Sequence, residues 1–205
     1  MKFLEVNHVS KSFRSTKVLE DVSFSVNNGC IVAITGENGV GKSTLLNMII
    51  GLIKPDRGSI EIVDNFGFCP QDILLFPQLT VNENIDYFRT AYGEKFFESK
   101  KQQQRPDELL KEFNFFAYKD KKVNILSGGT KQKLNLVISL LHNPDLMILD
   151  EPYASLDWET YLKFWEYAAE RKKEGKSVLI VSHFIYDQSM IDTLYSIKNH
   201  QLVCV

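Results

Sequence analysis

The sequence predicts an α/β fold: a mostly parallel sheet with flanking helices, an N-terminal antiparallel β subdomain and an inserted helical subdomain. Three observations carry the prediction. Short apolar runs, Cys30-Ile-Val-Ala-Ile-Thr35, Leu146-Met-Ile-Leu149 and Ser177-Val-Leu-Ile-Val181, alternate with longer helical patterns. Strands that are buried on both faces read this way. The first run leads through a glycine-rich loop straight into a helix. The middle of the chain differs, being charged, Gln-rich and home to half of the 14 phenylalanines.

Taken in order, Phe3-Leu-Glu-Val alternates, residues 11–17 read as a polar loop, and Val22-Ser-Phe-Ser-Val26 alternates again. These are short strands around a turn. A helix is expected over residues 45–50. Pro55-Asp-Arg-Gly58 turns the chain into the strand Ser59-Ile-Glu-Ile-Val63, and Asp64-Asn65 turns it back into Phe66-Gly-Phe-Cys69. Thr80-Val-Asn-Glu83 is a capping box, so a helix should run to about Ala91. Pro106 reads as a helix start, and residues 100–105 as a mobile stretch. A helix follows Ser127 until Asn143-Pro144-Asp145 breaks it. Asp157 reads as the N-cap of another helix, which Gly175 ends. The expected organisation is one domain over residues 1–205. Residues 1–70 and 127–205 form the core with its β subdomain, and residues 71–126 the helical subdomain.

Composition bounds the function. Lys and Arg number 24 against 26 for Asp and Glu, a net charge of −2, so there is no electrostatic case for nucleic-acid binding. Cys30, Cys69 and Cys204 have no metal or disulfide spacing and read as small buried apolar residues. No apolar run reaches the roughly 18 residues of a membrane span. Glu5 stands where a signal peptide would need an apolar residue. The expected place is the cytoplasm, with any membrane association made through a partner.

The chemistry begins at Gly36-Glu37-Asn38-Gly39-Val40-Gly41-Lys42-Ser43-Thr44, which fits G-x-x-x-x-G-K-[ST] without mismatch. Between a strand and a helix this is a phosphate-binding loop. Its backbone N–H groups and the helix N-terminus face the phosphates, Lys42 adds a point charge, and the Ser43 hydroxyl is a Mg²⁺ ligand. The same residues could form a Gly-rich turn that binds nothing, but the two flanks favour the triphosphate. Leu146-Met-Ile-Leu-Asp150-Glu151 delivers two carboxylates to the C-terminal edge of a strand, where open α/β sheets bind ligands. There Asp150 suits Mg²⁺ and Glu151 suits the deprotonation of an attacking water. Leu126-Ser127-Gly128-Gly129-Thr130 opens a helix and makes a second anion site. One triphosphate does not need two such sites from one chain, whereas two copies arranged head to tail would use both.

Together these motifs, in this order and over nearly the whole chain, resemble the single-cassette nucleotide-binding subunit of an ATP-binding cassette transporter, a P-loop NTPase core. Residues 36–44 match Walker A, residues 146–151 match Walker B, and residues 126–130 match the signature. The resemblance implies further roles. Gln71 matches the glutamine that touches Mg²⁺ and water and senses the membrane subunit, and Ser155-Leu-Asp157 matches the D-loop. His183 matches the switch histidine at the γ-phosphate, and Phe13 sits where the family stacks an aromatic ring on adenine. Thr130 stands where glutamine is most common, and Phe13 where tyrosine is more usual.

The resemblance further implies an ATPase with ATP and Mg²⁺ as cofactors and no nucleic acid. Its implied partners are a second ATPase subunit, identical or related, and separate membrane-spanning chains that hold it at the cytoplasmic face of the membrane. The stretches around Phe68 and Leu79 resemble subunits of drug, peptide or bacteriocin export systems. The alternatives are non-transport ATPases of DNA repair or translation. The former carry a long coiled coil or zinc module between Walker A and the signature, and the latter carry two cassettes. Neither feature occurs in this sequence.

Overall fold

The computed structural model describes residues 1–72, 74–93, 96–152, 156–185 and 187–205. Ser155 of the expected D-loop lies outside them. The chain divides into two compact units: Met1–Phe68, Asp145–Glu151 and Ala168–Val205 form the first, Cys69–Pro144 and Pro152–Tyr167 the second.

The first unit opens with β1 (Lys2–Phe13) and β2 (Thr16–Asn27), followed by β3 (Ile31–Thr35), α1 (Lys42–Ile49), β4 (Arg57–Ile62) and β5 (Phe66–Cys69). β1 pairs antiparallel with both β2 and β4, giving a three-stranded sheet of order β2-β1-β4. The expected polar loop over residues 11–17 is mostly strand, and only Arg14 and Ser15 turn. Its polar groups are satisfied laterally, which frees the ladder to continue to the Phe13–Thr16 pair. Lys11 Nζ donates to Asp56 Oδ1 at 2.8 Å and to Lys54 O at 2.8 Å, and Ser12 N donates to Asp56 Oδ2 at 2.8 Å.

β6 (Leu146–Asp150), β7 (Ser177–Ser182), β8 (Thr193–Lys198) and β9 (Gln201–Cys204) complete a six-stranded sheet of order β5-β6-β7-β3-β8-β9. β6, β7, β3 and β8 pair in parallel, and β9 returns antiparallel to β8. Every residue of β6 and β7 is buried. One apolar cluster joins Leu4, Val6 and Val26 of the antiparallel sheet, Leu45 and Ile49 of α1, and Ile148 of the parallel sheet. α1 is thereby fixed at its inner face, and the loop before it is held in place. Of the three cysteines only Cys69 is buried; Cys204 is exposed on the last strand.

The second unit holds α2 (Val81–Tyr92), α3 (Lys100–Glu112), α4 (Gly128–Leu140) and the first part of α5 (Trp158–Lys173). The Thr80 capping box is present, with Thr80 N donating to Glu83 Oε2 at 2.7 Å. Pro106 lies inside α3 and does not start it, so residues 100–105 are helical. A second capping box, Ser99 with Gln102, begins that helix six residues earlier than the proline suggests. Arg105 anchors it, donating from Nε to Leu140 O at 3.0 Å and from an Nη to the Tyr167 hydroxyl at 2.6 Å. Asp157 caps α5 as expected, accepting from Thr160 N at 2.8 Å. That bond, more than burial opposes it, holds the Asp157 carboxyl below its ordinary range. Among the described residues no helix is long and apolar enough to cross a membrane.

Candidate active site

In the first unit the loop between β3 and α1 sits at the C-terminal edge of the parallel sheet. Gly41, at the N-cap of α1, has φ +112°, and a Cβ there would meet Val18 Cγ1 at 2.9 Å. Only glycine serves a backbone that is both left-handed and packed this closely against β2. Lys42, 8 % exposed, folds back beneath the loop, donating from Nζ to Gly36 O at 2.7 Å and to Glu37 O at 3.1 Å.

β6 brings Asp150 and Glu151 to the same edge, both 8 % exposed. Glu151 has φ +48°, a left-handed conformation uncommon for a residue with a side chain. Its N–H donates to Val181 O at 2.8 Å, which ties the turn after β6 to β7. The carboxylate is surrounded by donors. Lys42 Nζ lies 3.9 Å from Oε1, the Ser182 hydroxyl donates to Oε2 at 2.7 Å, and His183 Nδ1 lies 2.9 Å from Oε2. The structure thus joins Lys42, Glu151 and His183, which stand far apart in sequence. Ser182 belongs to this cluster too, and the sequence reading passed over it.

Two clefts flank the loop. One of about 620 Å³ is lined by Thr16, Lys17 and Val18, by loop residues Gly36, Glu37, Gly39 and Val40, and by the end of β8 and the turn after it with His200. The other, of about 410 Å³, is lined by Thr35, Gly36, Glu37, Asn38, Ser196 and His183, so the expected switch histidine shares a wall with the loop. Phe13 sits at the β1–β2 turn, 47 % exposed, with Lys11 Nζ 5.5 Å from its ring centre. A half-exposed ring leaves a face available for stacking.

The oxygen donors suit a hard divalent cation: the Ser43 hydroxyl on the first turn of α1 and the Asp150 carboxylate in this unit. Among the described residues there is no cluster of His, Cys, Asp and Glu of the kind that holds a metal unaided.

In the second unit Gln71 is exposed, just after β5. Pro70 O beside it accepts from Asn135 Nδ2 of α4 at 3.0 Å. Ser127 is the N-cap of α4, its Oγ accepting from Thr130 N at 3.2 Å, with the Thr130 hydroxyl 2.7 Å away. A Cβ at Gly128 would meet nothing within 4 Å, so this helix start is open to an incoming ligand. Phe76 packs edge-on against Tyr87, their ring centres 4.5 Å apart, and Tyr87 is 51 % exposed.

A family model described as ABC transporter matches residues 19–154. The lipopolysaccharide export system ATP-binding protein LptB of Haemophilus influenzae is 32 % identical, covering 89 % of this chain and 81 % of its own. A solved structure of an ATP-binding subunit of an ABC transporter superposes with a TM-score of 0.90, 31 % identity and coverage of 99 % and 90 % of the two chains. A dimeric ATP-binding cassette in a post-hydrolysis state, bound to ADP and Pi, superposes with a TM-score of 0.84, 27 % identity and coverage of 97 % and 96 %. Against two ABC transporter G family members of Dictyostelium discoideum the match spans only 29 % and 30 % of the relative's length.

Proposed function

The chain belongs to the ABC transporter family, and from that premise we propose that it is an ATP-hydrolysing subunit that closes head to tail with a second cassette and energises separate membrane-spanning chains. The observation that carries the reading is the convergence of Lys42, Ser182 and His183 on the buried Glu151 carboxylate. A buried carboxylate beside a phosphate loop, free to take a proton at one oxygen, is what hydrolysis of a terminal phosphate requires.

In the proposed reaction the amides of residues 36–44 and Lys42 bind the phosphates, while Phe13 stacks on the base. Glu151 takes a proton from water as the water oxygen attacks the terminal phosphorus. The bond to the bridging oxygen breaks, releasing ADP and phosphate. His183 steadies the terminal phosphate from the wall it shares with the loop. Ser43 and Asp150 would hold Mg²⁺, which when bound supplies charge neutralisation on the phosphate oxygens. Ser127, Gly128 and Gly129 act on the nucleotide of the other copy, so hydrolysis requires two chains.

Resemblance to relatives named for export supports export of a drug, peptide or similar substrate. The Phe76, Tyr87 and Phe88 rings are our candidate surface for the membrane-spanning partner, through which the subunit would sit at the cytoplasmic face of the membrane. The decisive variant is Glu151→Gln. Phosphate release should fall at least about a hundredfold, the usual contribution of a general base, with ATP affinity retained. Size-exclusion chromatography with ATP should then show a trapped dimer. Wild-type turnover in that variant would remove the base assignment.

A further inference from the structure

Ser182 ends β7, next to the histidine that the family motif singles out. Its side chain is 2 % exposed, and it follows four apolar residues of the strand. A hydroxyl placed there is costly unless it is hydrogen-bonded. Its bond is to Glu151: Ser182 Oγ donates to Oε2 at 2.7 Å. An ionised carboxylate only accepts, so the direction of the proton is fixed by chemistry. The backbone brings the two residues together. β6 and β7 pair in parallel with Asp150 opposite Val181, and Glu151 N is tied to Val181 O at 2.8 Å. The residue after Asp150 and the residue after Val181 therefore meet at the sheet edge.

Counting hydrogens separates the two carboxylate oxygens. Oε2 receives the Ser182 hydroxyl and faces His183 Nδ1 at 2.9 Å, whereas the nearest cation to Oε1 is Lys42 Nζ at 3.9 Å. That distance is beyond a hydrogen bond. Oε2 is thus held, and Oε1 is left with its proton-accepting capacity. We propose that Ser182 is a positioning residue for Glu151: its hydroxyl fixes Oε2 and so selects Oε1 as the oxygen that takes the proton from water. The assignment rests on Glu151 being the base. Ser182 acts through the carboxylate alone.

The test is steady-state ATP hydrolysis by the full chain carrying Ser182→Ala, Ser182→Cys or Ser182→Thr, alongside Glu151→Gln. Alanine removes the donor, cysteine keeps the volume with a weak donor, and threonine restores a hydroxyl on a residue suited to a strand. Ser182→Ala and Ser182→Cys should lower kcat about tenfold with KM for ATP within about twofold, the signature of a lost transition-state contribution. Ser182→Thr should recover most of the rate. Combined with Glu151→Gln, Ser182→Ala should leave the residual rate unchanged, because its effect passes through the carboxylate. Unchanged kcat in both the alanine and cysteine variants would overturn the proposal, as would a further loss of rate in the Glu151→Gln background. A Ser182→Thr rate as low as that of alanine would also overturn it. Wild-type turnover by Glu151→Gln would instead strike the base assignment itself, and a folded, slow Glu151→Gln beside a fast Ser182→Ala would strike only the role of Ser182.

Discussion

Tyr92, in the last turn of α2, packs its ring against the His142 imidazole with centres 4.2 Å apart. Burial, with a smaller contribution from Cys69, pushes its phenol from an ordinary 10.0 up to about 12. The folded chain therefore keeps this proton through a range in which the unfolded chain releases it. The stabilisation is complete below pH 10 and is lost as the pH rises towards 12. It amounts to about 3 kcal/mol at most. Urea midpoints measured from pH 8 upward should fall across that range, and Tyr92→Phe, which keeps the ring, should flatten the decline. At this scale the motif side chains were legible: Lys42, Glu151 and His183 are each announced by their own neighbours in sequence. Ser182 was not. A serine closing an apolar strand looks the same as Ser177, which opens it and whose hydroxyl bonds to the backbone at Asn27 O and Cys30 N. What distinguishes them is the pairing of β6 with β7, which no local pattern reveals.

Among elements, the seam between β1 and β4 makes a sharp demand. Gly58 has φ +83°, and a Cβ there would fall 2.3 Å from Asn7 O and 2.4 Å from His8 O. Both are backbone atoms of β1, where the register shifts between Asn7 and Ser10, and they cannot rotate away. Gly58→Ala should therefore cost about 3 kcal/mol or more, read as a lower urea midpoint with an unchanged slope. The predicted strands of the parallel sheet were recovered because continuous apolar runs need no partner to be recognised. The polar end of the first hairpin was not, since Lys11 and Ser12 are satisfied by Asp56, 45 and 44 residues away. The α3 start was misjudged for a different reason. Pro106 is tolerated inside the helix, where the Ser99–Gln102 box and the Arg105 anchors set the local backbone.

For the whole molecule, two phosphate-facing features lie in different units: the loop of residues 36–44 in the first and the start of α4 in the second. If each belongs to a site shared between copies, a bulky cation at Ser127 must stop turnover without touching the chain's own loop. Ser127→Arg should abolish hydrolysis while nucleotide affinity of the monomer stays within about twofold. Equilibrium binding of a fluorescent ATP analogue, set beside phosphate release, checks both halves. Retained turnover in this variant would mean that one copy suffices. The order of the motifs is what suggests this arrangement, because a second anion site with no ligand of its own asks for another chain.

The Lys42 ammonium is already hydrogen-bonded to Gly36 O and Glu37 O, so the loop carries an internal competitor for its own ligand. Binding is then an exchange, in which the lysine trades two neutral carbonyls for a stronger, charged acceptor. A neutral nucleoside has nothing to offer in that trade, however well it fits the neighbouring cleft. By that physics the loop should favour ligands by their charge before their shape.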